Sequence, residues 1–196
     1  VLTFGFSIVL ARVIEPEEFG LLGMLSIFMA IATLLINSGL STALIRDKST
    51  TSEDFTTVFY FNIGVSTIIY FCLFVSAPYI AHFYNEPELT RLTRVMCTVL
   101  IVNSFALIQN TQLIRDLNFK RQTLINLIGI GISIVFAIVL LFNGFGIYSV
   151  VGQVLMQGII VNTMLWFTSD WRPRGTPQIK SLKKMWKFSS NILFTG

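Results

Sequence analysis

The sequence predicts an all-α, polytopic transmembrane helix bundle, and three observations lead there. Only 12% of the 196 residues are charged, where a soluble domain carries about 25%. The mean hydropathy is +0.73. Uncharged runs recur at lengths that match a bilayer span of about 20 apolar residues. Together these exclude a water-soluble enzyme, a disordered chain and a nucleic-acid-binding module. The net charge of +4 and the pI near 9.3 would suggest a nucleic-acid partner in a soluble protein; in a membrane protein the same excess marks cytoplasmic loops. None of the runs alternates polar and apolar residues with period 2, which argues against a barrel. Hydrocarbon offers backbone amides no water, so each run must satisfy them internally as a helix.

Val1–Ala11 reads as the outer half of a first span; Arg12-Val13-Ile14-Glu15 gives no small-residue cleavage site, so a signal peptide does not fit. Phe19 to Ile45 is uncharged over 27 residues, and Pro16 with Glu17 and Glu18 suits the first turn of this second span. Phe55 to Ala81 gives another 27, ended by His82, with Thr50 and Glu53 at capping-box spacing ahead of it. Val95 to Ile114 gives 20, preceded by Glu86-Pro87-Glu88. Gln122 to Ser169 gives 48, too many for one helix, and Asn143-Gly144-Phe145-Gly146 divides it into spans over 122–142 and 146–168. The chain starts without Met and stops as a new apolar run begins, so it reads as a piece of a longer one. The expected organisation is a six-helix bundle over 1–169, a basic loop over 170–187 and the start of a seventh helix over 188–196.

Assigning the loops alternately to two sides places 11 basic residues on one and 3 on the other, while the acidic residues divide 5 to 5. An asymmetry confined to Lys and Arg is what the positive-inside rule describes. The 46–54, 115–121 and 170–187 loops are therefore expected in the cytoplasm, together with the N-terminus. Trp166, Trp171 and Trp186 fall near that boundary, where indole rings favour the headgroup layer. The 180–188 segment has basic and apolar faces at helical spacing and is expected to lie on the anionic inner leaflet.

With charge absent from the spans, small and amide side chains carry the information. Ser26, Ala30, Thr33, Asn37 and Ser41 share one helix face, as do Gln122, Asn126, Gly129, Ser133 and Ala137, and as do Gly146, Ser149, Gln153 and Gln157. Helix packing explains such stripes, because small residues permit close approach and amides bond across helices. For Asn37, Gln109 and Asn110 a water-filled cavity competes with packing, since an amide beside lipid is costly. Arg46, Arg115, Lys120 and Arg121 gather at span ends on the basic side, and Arg12 lies at the opposite end of the first span. They either anchor the topology with snorkelling side chains or form a cationic vestibule for a phosphate-bearing substrate, a role that suits the fixed donor fork of Arg.

No Asp or Glu lies inside a complete span, so no carboxylate proton relay is expected. The single histidine, His82, sits at a span end, and Cys72 and Cys97 fall within spans without metal-ligand spacing, so both are expected to be packed thiols. With no phosphate loop, metal cluster or nucleophile motif, the expectation is a non-enzyme without cofactor or metal.

The stretch from Leu10 to Leu22, LARVIEPEEFGLL, resembles the junction of the first two helices in Wzx-type O-antigen and teichuronic-acid flippases. These belong to the multidrug/oligosaccharidyl-lipid/polysaccharide exporter superfamily. Gly39–Arg46, Arg115–Arg121, Gly144–Tyr148 and Trp171-Arg172-Pro173 are similar in order and spacing. The resemblance implies one lobe of a two-lobe exporter in the bacterial inner membrane. It implies that undecaprenyl-pyrophosphate-linked oligosaccharide is moved by alternating access, with membrane lipids, the C-terminal half and other glycan-assembly proteins as partners. It further implies that Arg12, Asn37 and Arg46 face the cavity between lobes and that Arg46 receives the pyrophosphate. A cation-coupled drug or metabolite antiporter of the same architecture is the nearest alternative. A non-transporting scaffold or polymerase subunit is a third, although the loops opposite the basic side are short for a polymerase.

Overall fold

The computed structural model describes residues 10, 14, 16–36, 40–46, 50–174, 177, 178 and 182, the side chain of Arg46 excepted. Among these residues there are six helices and no strand: α1 (Pro16–Ile36), α2 (Leu40–Arg46), α3 (Ser52–Tyr84), α4 (Glu88–Arg115), α5 (Phe119–Phe142) and α6 (Tyr148–Thr168). All but the short α2 are long and apolar enough to cross a membrane, so the chain is an all-α, multi-pass membrane bundle. The expected first span lies outside the described residues except for Leu10, which with Ile14 packs on Ala137 and Leu141 of α5. The 180–188 segment lies outside them too, save Leu182.

Local signals set most boundaries. Pro16 opens α1 with Glu17 and Glu18 in its first turn, where a missing N–H costs nothing and negative charge meets the positive helix end. The cap of α3 is one residue later than expected: Thr51, not Thr50, is the N-cap, and its N–H donates to Asp54 Oδ2 at 2.9 Å, so Glu53 is not the box partner. At 33 residues α3 is about 50 Å long and must project beyond the hydrocarbon. It stops at Asn85, which adopts the left-handed conformation (φ 57°). The turn between α5 and α6 takes Gly144 and Gly146 to φ 83° and 49°, as the Asn-Gly-Phe-Gly sequence suggested.

Between α4 and α5 the left-handed position falls on Leu117 (φ 53°), which is exposed. A branched side chain pays about 1–2 kcal/mol for that conformation, whereas Asn tolerates it. Leu117→Asn is therefore expected to raise the melting temperature of the purified protein by a few degrees, about 2–4 °C per kcal/mol at this size. A lower melting temperature would contradict the assignment of that turn.

The bundle is built from two hairpins, α3 on α4 and α5 on α6, joined through α4 and α6. Glycines do the close packing between α5 and α6: a Cβ at Gly129 would lie 2.6 Å from Val161 Cγ2, and one at Gly152 2.6 Å from Leu140 Cδ1. Side chains of α6 then donate to backbone oxygens of α4, Asn162 Nδ2 to Val102 at 2.6 Å and Trp166 Nε1 to Phe105 at 3.0 Å. These are bonds that hold helices together where lipid supplies no hydrophobic drive.

The stripe on α1 does not follow this rule. Its buried face is Leu21, Leu25, Ala32 and Ile36, while Ser26, Ala30 and Thr33 are exposed. Ser26 and Thr33 donate to their own backbone, to Gly23 O and Met29 O, both at 2.7 Å. The packing expected of this face is not seen at Ser26, Ala30 or Thr33, whereas Ser41, on α2, is half-buried. Cys97 is packed as expected, beside Ala32, Ile36 and Leu100, but Cys72 is exposed on α3. In a bilayer an apolar thiol costs nothing beside lipid, so the Cys72 expectation failed where lipid replaces protein as the apolar neighbour.

Candidate functional site

The three loops that carry the Lys/Arg excess meet at one end of the bundle. There Arg115, in the last turn of α4, donates from Nη1 to Thr50 Oγ1 at 2.6 Å, across the loop ahead of α3. Its guanidinium lies 5.3 Å from the centre of the Phe55 ring, within cation–π range. The chain leaving α6 folds back across the same end. Thr56 Oγ1 donates to Arg174 O at 3.2 Å, the Gln178 N–H to Thr57 Oγ1 at 3.0 Å, and Gln178 Nε2 to Glu53 Oε2 at 2.9 Å. Arg172 fixes the bend, donating to the carbonyls of Trp166 and Ser169 at 2.7 and 2.6 Å. Trp171 is thereby set edge-on to Phe59, with ring centres 5.7 Å apart.

This return encloses a cavity of about 350 Å³ between the end of α4, the start of α3, the α4–α5 turn and the end of α6. Gln109, Gln112, Arg115, Asp116, Asn118 and Arg121 line one side, and Thr168, Ser169, Asp170 and Trp171 the other. Arg115, Arg121 and Asp116 thus lie on one side and Asp170 on the other. Ser169 Oγ donates to Gln112 Oε1 at 3.4 Å, and Asn118 Oδ1 accepts from the Arg121 backbone N–H at 3.3 Å as the cap of α5. Gln109 is fully buried, yet among the described residues neither its Nε2 nor its Oε1 has a partner, and the buried Trp171 Nε1 is likewise unpartnered. Each such group costs about 1–3 kcal/mol while it has no partner, and these atoms lie beneath the cavity surface, not on it.

Of the residues expected to act, the fold therefore brings Gln109, Arg115 and Arg121 together. Asn110 is not on that wall; its Oδ1 accepts from Gln122 Nε2 at 2.8 Å and ties α4 to α5. Arg46 ends α2, and Arg12 and Asn37 lie outside the described residues. Trp171 is half-buried in the cavity wall. The reasoning from sequence did not single out Asp116, Asn118, Ser169 or Asp170 as site residues. Their membership comes from the return of the chain after α6, and the Trp-Arg-Pro run was its one local trace.

The chain resembles known proteins along most of its length. It is 26% identical over 195 residues to the succinoglycan biosynthesis transport protein ExoT of Rhizobium meliloti, covering 97% of this chain and 40% of that protein. It is 24% identical over 163 residues to the teichuronic acid biosynthesis protein TuaB of Bacillus subtilis, covering 81% and 33%. Over 94 residues, 48% of this chain and 19% of the relative, it is 28% identical to the lipopolysaccharide biosynthesis protein WzxC of Escherichia coli. The chain thus spans less than half the length of each of these relatives. No solved structure matches it. The family model described as polysaccharide biosynthesis protein matches residues 9–196, and the chain belongs to the polysaccharide biosynthesis protein family.

Proposed function

We propose that the full-length protein exports lipid-linked oligosaccharide units, carried on undecaprenyl pyrophosphate, across the bacterial cytoplasmic membrane by alternating access. In this reading the chain is the N-terminal lobe, its basic end faces the cytoplasm, and the remaining half of the polypeptide completes the pathway. The observation that carries the proposal is the polar cavity at the Lys/Arg-rich end of an otherwise apolar bundle. A hydrophilic headgroup has somewhere to be received on that side, and the exposed cations Arg121, which lines the cavity, and Lys120, next to it in the chain, suit its phosphates. The similarity to the succinoglycan biosynthesis transport protein ExoT supports it. Arg12, Asn37 and Arg46 remain the candidates to face the space between lobes, and glycan-assembly proteins the candidate partners.

A strain lacking the full-length gene is expected to lose the corresponding surface glycan and to accumulate lipid-linked units on the cytoplasmic leaflet. Unchanged surface glycan in that strain would overturn the proposal.

A further inference from the structure

We infer that a groove between α4 and α6, separate from the polar cavity, holds one acyl chain of an anionic glycerophospholipid, with the lipid phosphate on Arg172. The inference rests on the membrane bundle and not on the proposed substrate. The groove has a volume of about 530 Å³. Phe105 of α4 and Ile159 and Phe167 of α6 give it an exposed apolar wall, and Trp166 with Arg172 stands at the end nearest the basic loops. The polar side chains inside it already bond within the bundle. Asn162 Nδ2 donates to Val102 O at 2.6 Å, Thr163 Oγ1 to Ile159 O at 2.7 Å and Trp166 Nε1 to Phe105 O at 3.0 Å. What the lining offers an occupant is hydrocarbon and ring surface, where a polar ligand would lose its water without gaining partners.

Arg172 supplies the charge. It is exposed, its Nη1 donates to Ser169 O and Trp171 O and its Nη2 to Trp166 O, and its guanidinium lies 5.3 Å from the centre of the Trp166 ring. All three acceptors are neutral carbonyls. Among the described residues the cation therefore has no carboxylate partner, and its Nε hydrogen and one Nη2 hydrogen stay open for an anion. A cation beside a boundary tryptophan, at the end of an apolar groove, matches a phospholipid with its phosphate outside and its chain inside. Length selects the chain. From Ile159 to Phe167 the groove follows α6 for about 12 Å at 1.5 Å per residue, close to one leaflet's share, about 15 Å, of the hydrocarbon core. One acyl chain fits that depth, whereas a long polyprenyl chain overruns it. A zwitterionic headgroup would bring its own cation beside Arg172 and the exposed Arg174, and an anionic one does not. One basic residue at the surface favours the anionic lipid about fivefold.

The test is photo-crosslinking of the purified full-length protein in phosphatidylcholine nanodiscs. These are doped with phosphatidylglycerol or phosphatidylcholine that carries a diazirine in one acyl chain, and the labelled residues are mapped by mass spectrometry. The phosphatidylglycerol probe is expected to label 101–105 and 159–167 about fivefold more than the phosphatidylcholine probe. Arg172→Gln keeps donors for the carbonyls and removes the charge, so it is expected to bring the two probes within about twofold of each other. Thr163→Trp, at an exposed position on the groove wall, fills the groove and is expected to remove labelling by both probes at an unchanged melting temperature. Should Arg172→Gln not fold, the headgroup preference of the unaltered protein and the Thr163→Trp result decide. Equal labelling by the two probes, a preference that survives Arg172→Gln, or labelling unchanged in Thr163→Trp would each overturn the site. Displacement of the phosphatidylglycerol probe by an equal amount of polyprenyl phosphate would overturn the proposed occupant. The outcome is independent of the glycan phenotype of the deletion strain, so either proposal can fail alone.

Discussion

Arg115→Ala is expected to lower surface glycan about tenfold or more in a complemented deletion strain, with the protein present at normal abundance. The substitution removes the charge-assisted bond to Thr50 Oγ1 and the stacking on Phe55, and with them one corner of the cavity. Such a bond contributes about 1.5–3 kcal/mol, and each 1.4 kcal/mol is a factor of roughly ten in rate. Arg115→Lys restores the charge without the planar fork and should recover only part of the loss. Arg121→Ala, at an exposed position on the same rim, should cost far less. Quantifying the glycan against membrane-protein abundance separates these outcomes. Full export by Arg115→Ala would remove the cavity from the transport pathway.

The second large effect is expected at Gly129. A Cβ built there falls 2.6 Å from Val161 Cγ2, where ordinary carbon contacts lie at about 3.5–4.0 Å. Valine is stiff at χ1 and cannot swing aside cheaply. Gly129→Ala is therefore expected to destabilise the α5–α6 hairpin by about 1–3 kcal/mol, and Gly129→Leu to leave little folded protein. Adding Val161→Ala to Gly129→Ala removes the obstructing methyl and should return most of the lost melting temperature. Thermal scans of the two single variants and the double variant give the coupling directly. A double variant no more stable than the worse single would mean that the helices do not meet at this point.

The parts readable from the sequence and the parts not readable follow one physical division. Charge is excluded from hydrocarbon, so the uncharged runs marked α3, α5 and α6 to within a few residues, and the Gly-containing turn after Phe142 had to break the longest run. The run over 19–45, expected as one span, instead holds α1, which ends at Ile36, and the separate short α2, and α4 begins ahead of its run at Glu88. Rotation about each helix axis was not readable in the same way. In lipid both faces of a helix are apolar, so the polar stripe on α1 gave a face but not its neighbour, and Ser26 and Thr33 turned out exposed while Leu21 and Leu25 are buried. On α5 the stripe did find its partner, because Gly129 and Ser133 let α6 approach closely. Capping slipped by one position because Thr50-Thr51 and Glu53-Asp54 offer two registers, and Asp54 in the second is buried.

The site divides likewise. Gln109, Arg115 and Arg121 were visible as an amide and two cations near one span end. Their convergence with Asp170 and Trp171 depends on bonds from residues 172–178 back to α3, more than a hundred positions away in sequence. Of the two carboxylates that balance the arginines, Asp116 directly follows Arg115 on one side of the cavity, and Asp170 comes to the other side with the end of α6. The vestibule read as purely cationic in the sequence is therefore of mixed charge in the fold.

The central claim is that the end holding Arg115 and this cavity faces the cytoplasm. It is tested most directly by cysteine accessibility in the full-length protein, with Cys72 and Cys97 replaced by serine and any cysteine elsewhere in the polypeptide removed. Single cysteines are then placed at Lys120, beside the cavity, and at Gly144, in the turn at the opposite end. A membrane-impermeant maleimide applied to intact cells is expected to label Gly144→Cys, and to label Lys120→Cys only after the cytoplasmic membrane is opened. Labelling of Lys120→Cys from outside, with Gly144→Cys protected, would contradict the orientation and the direction of transport built on it.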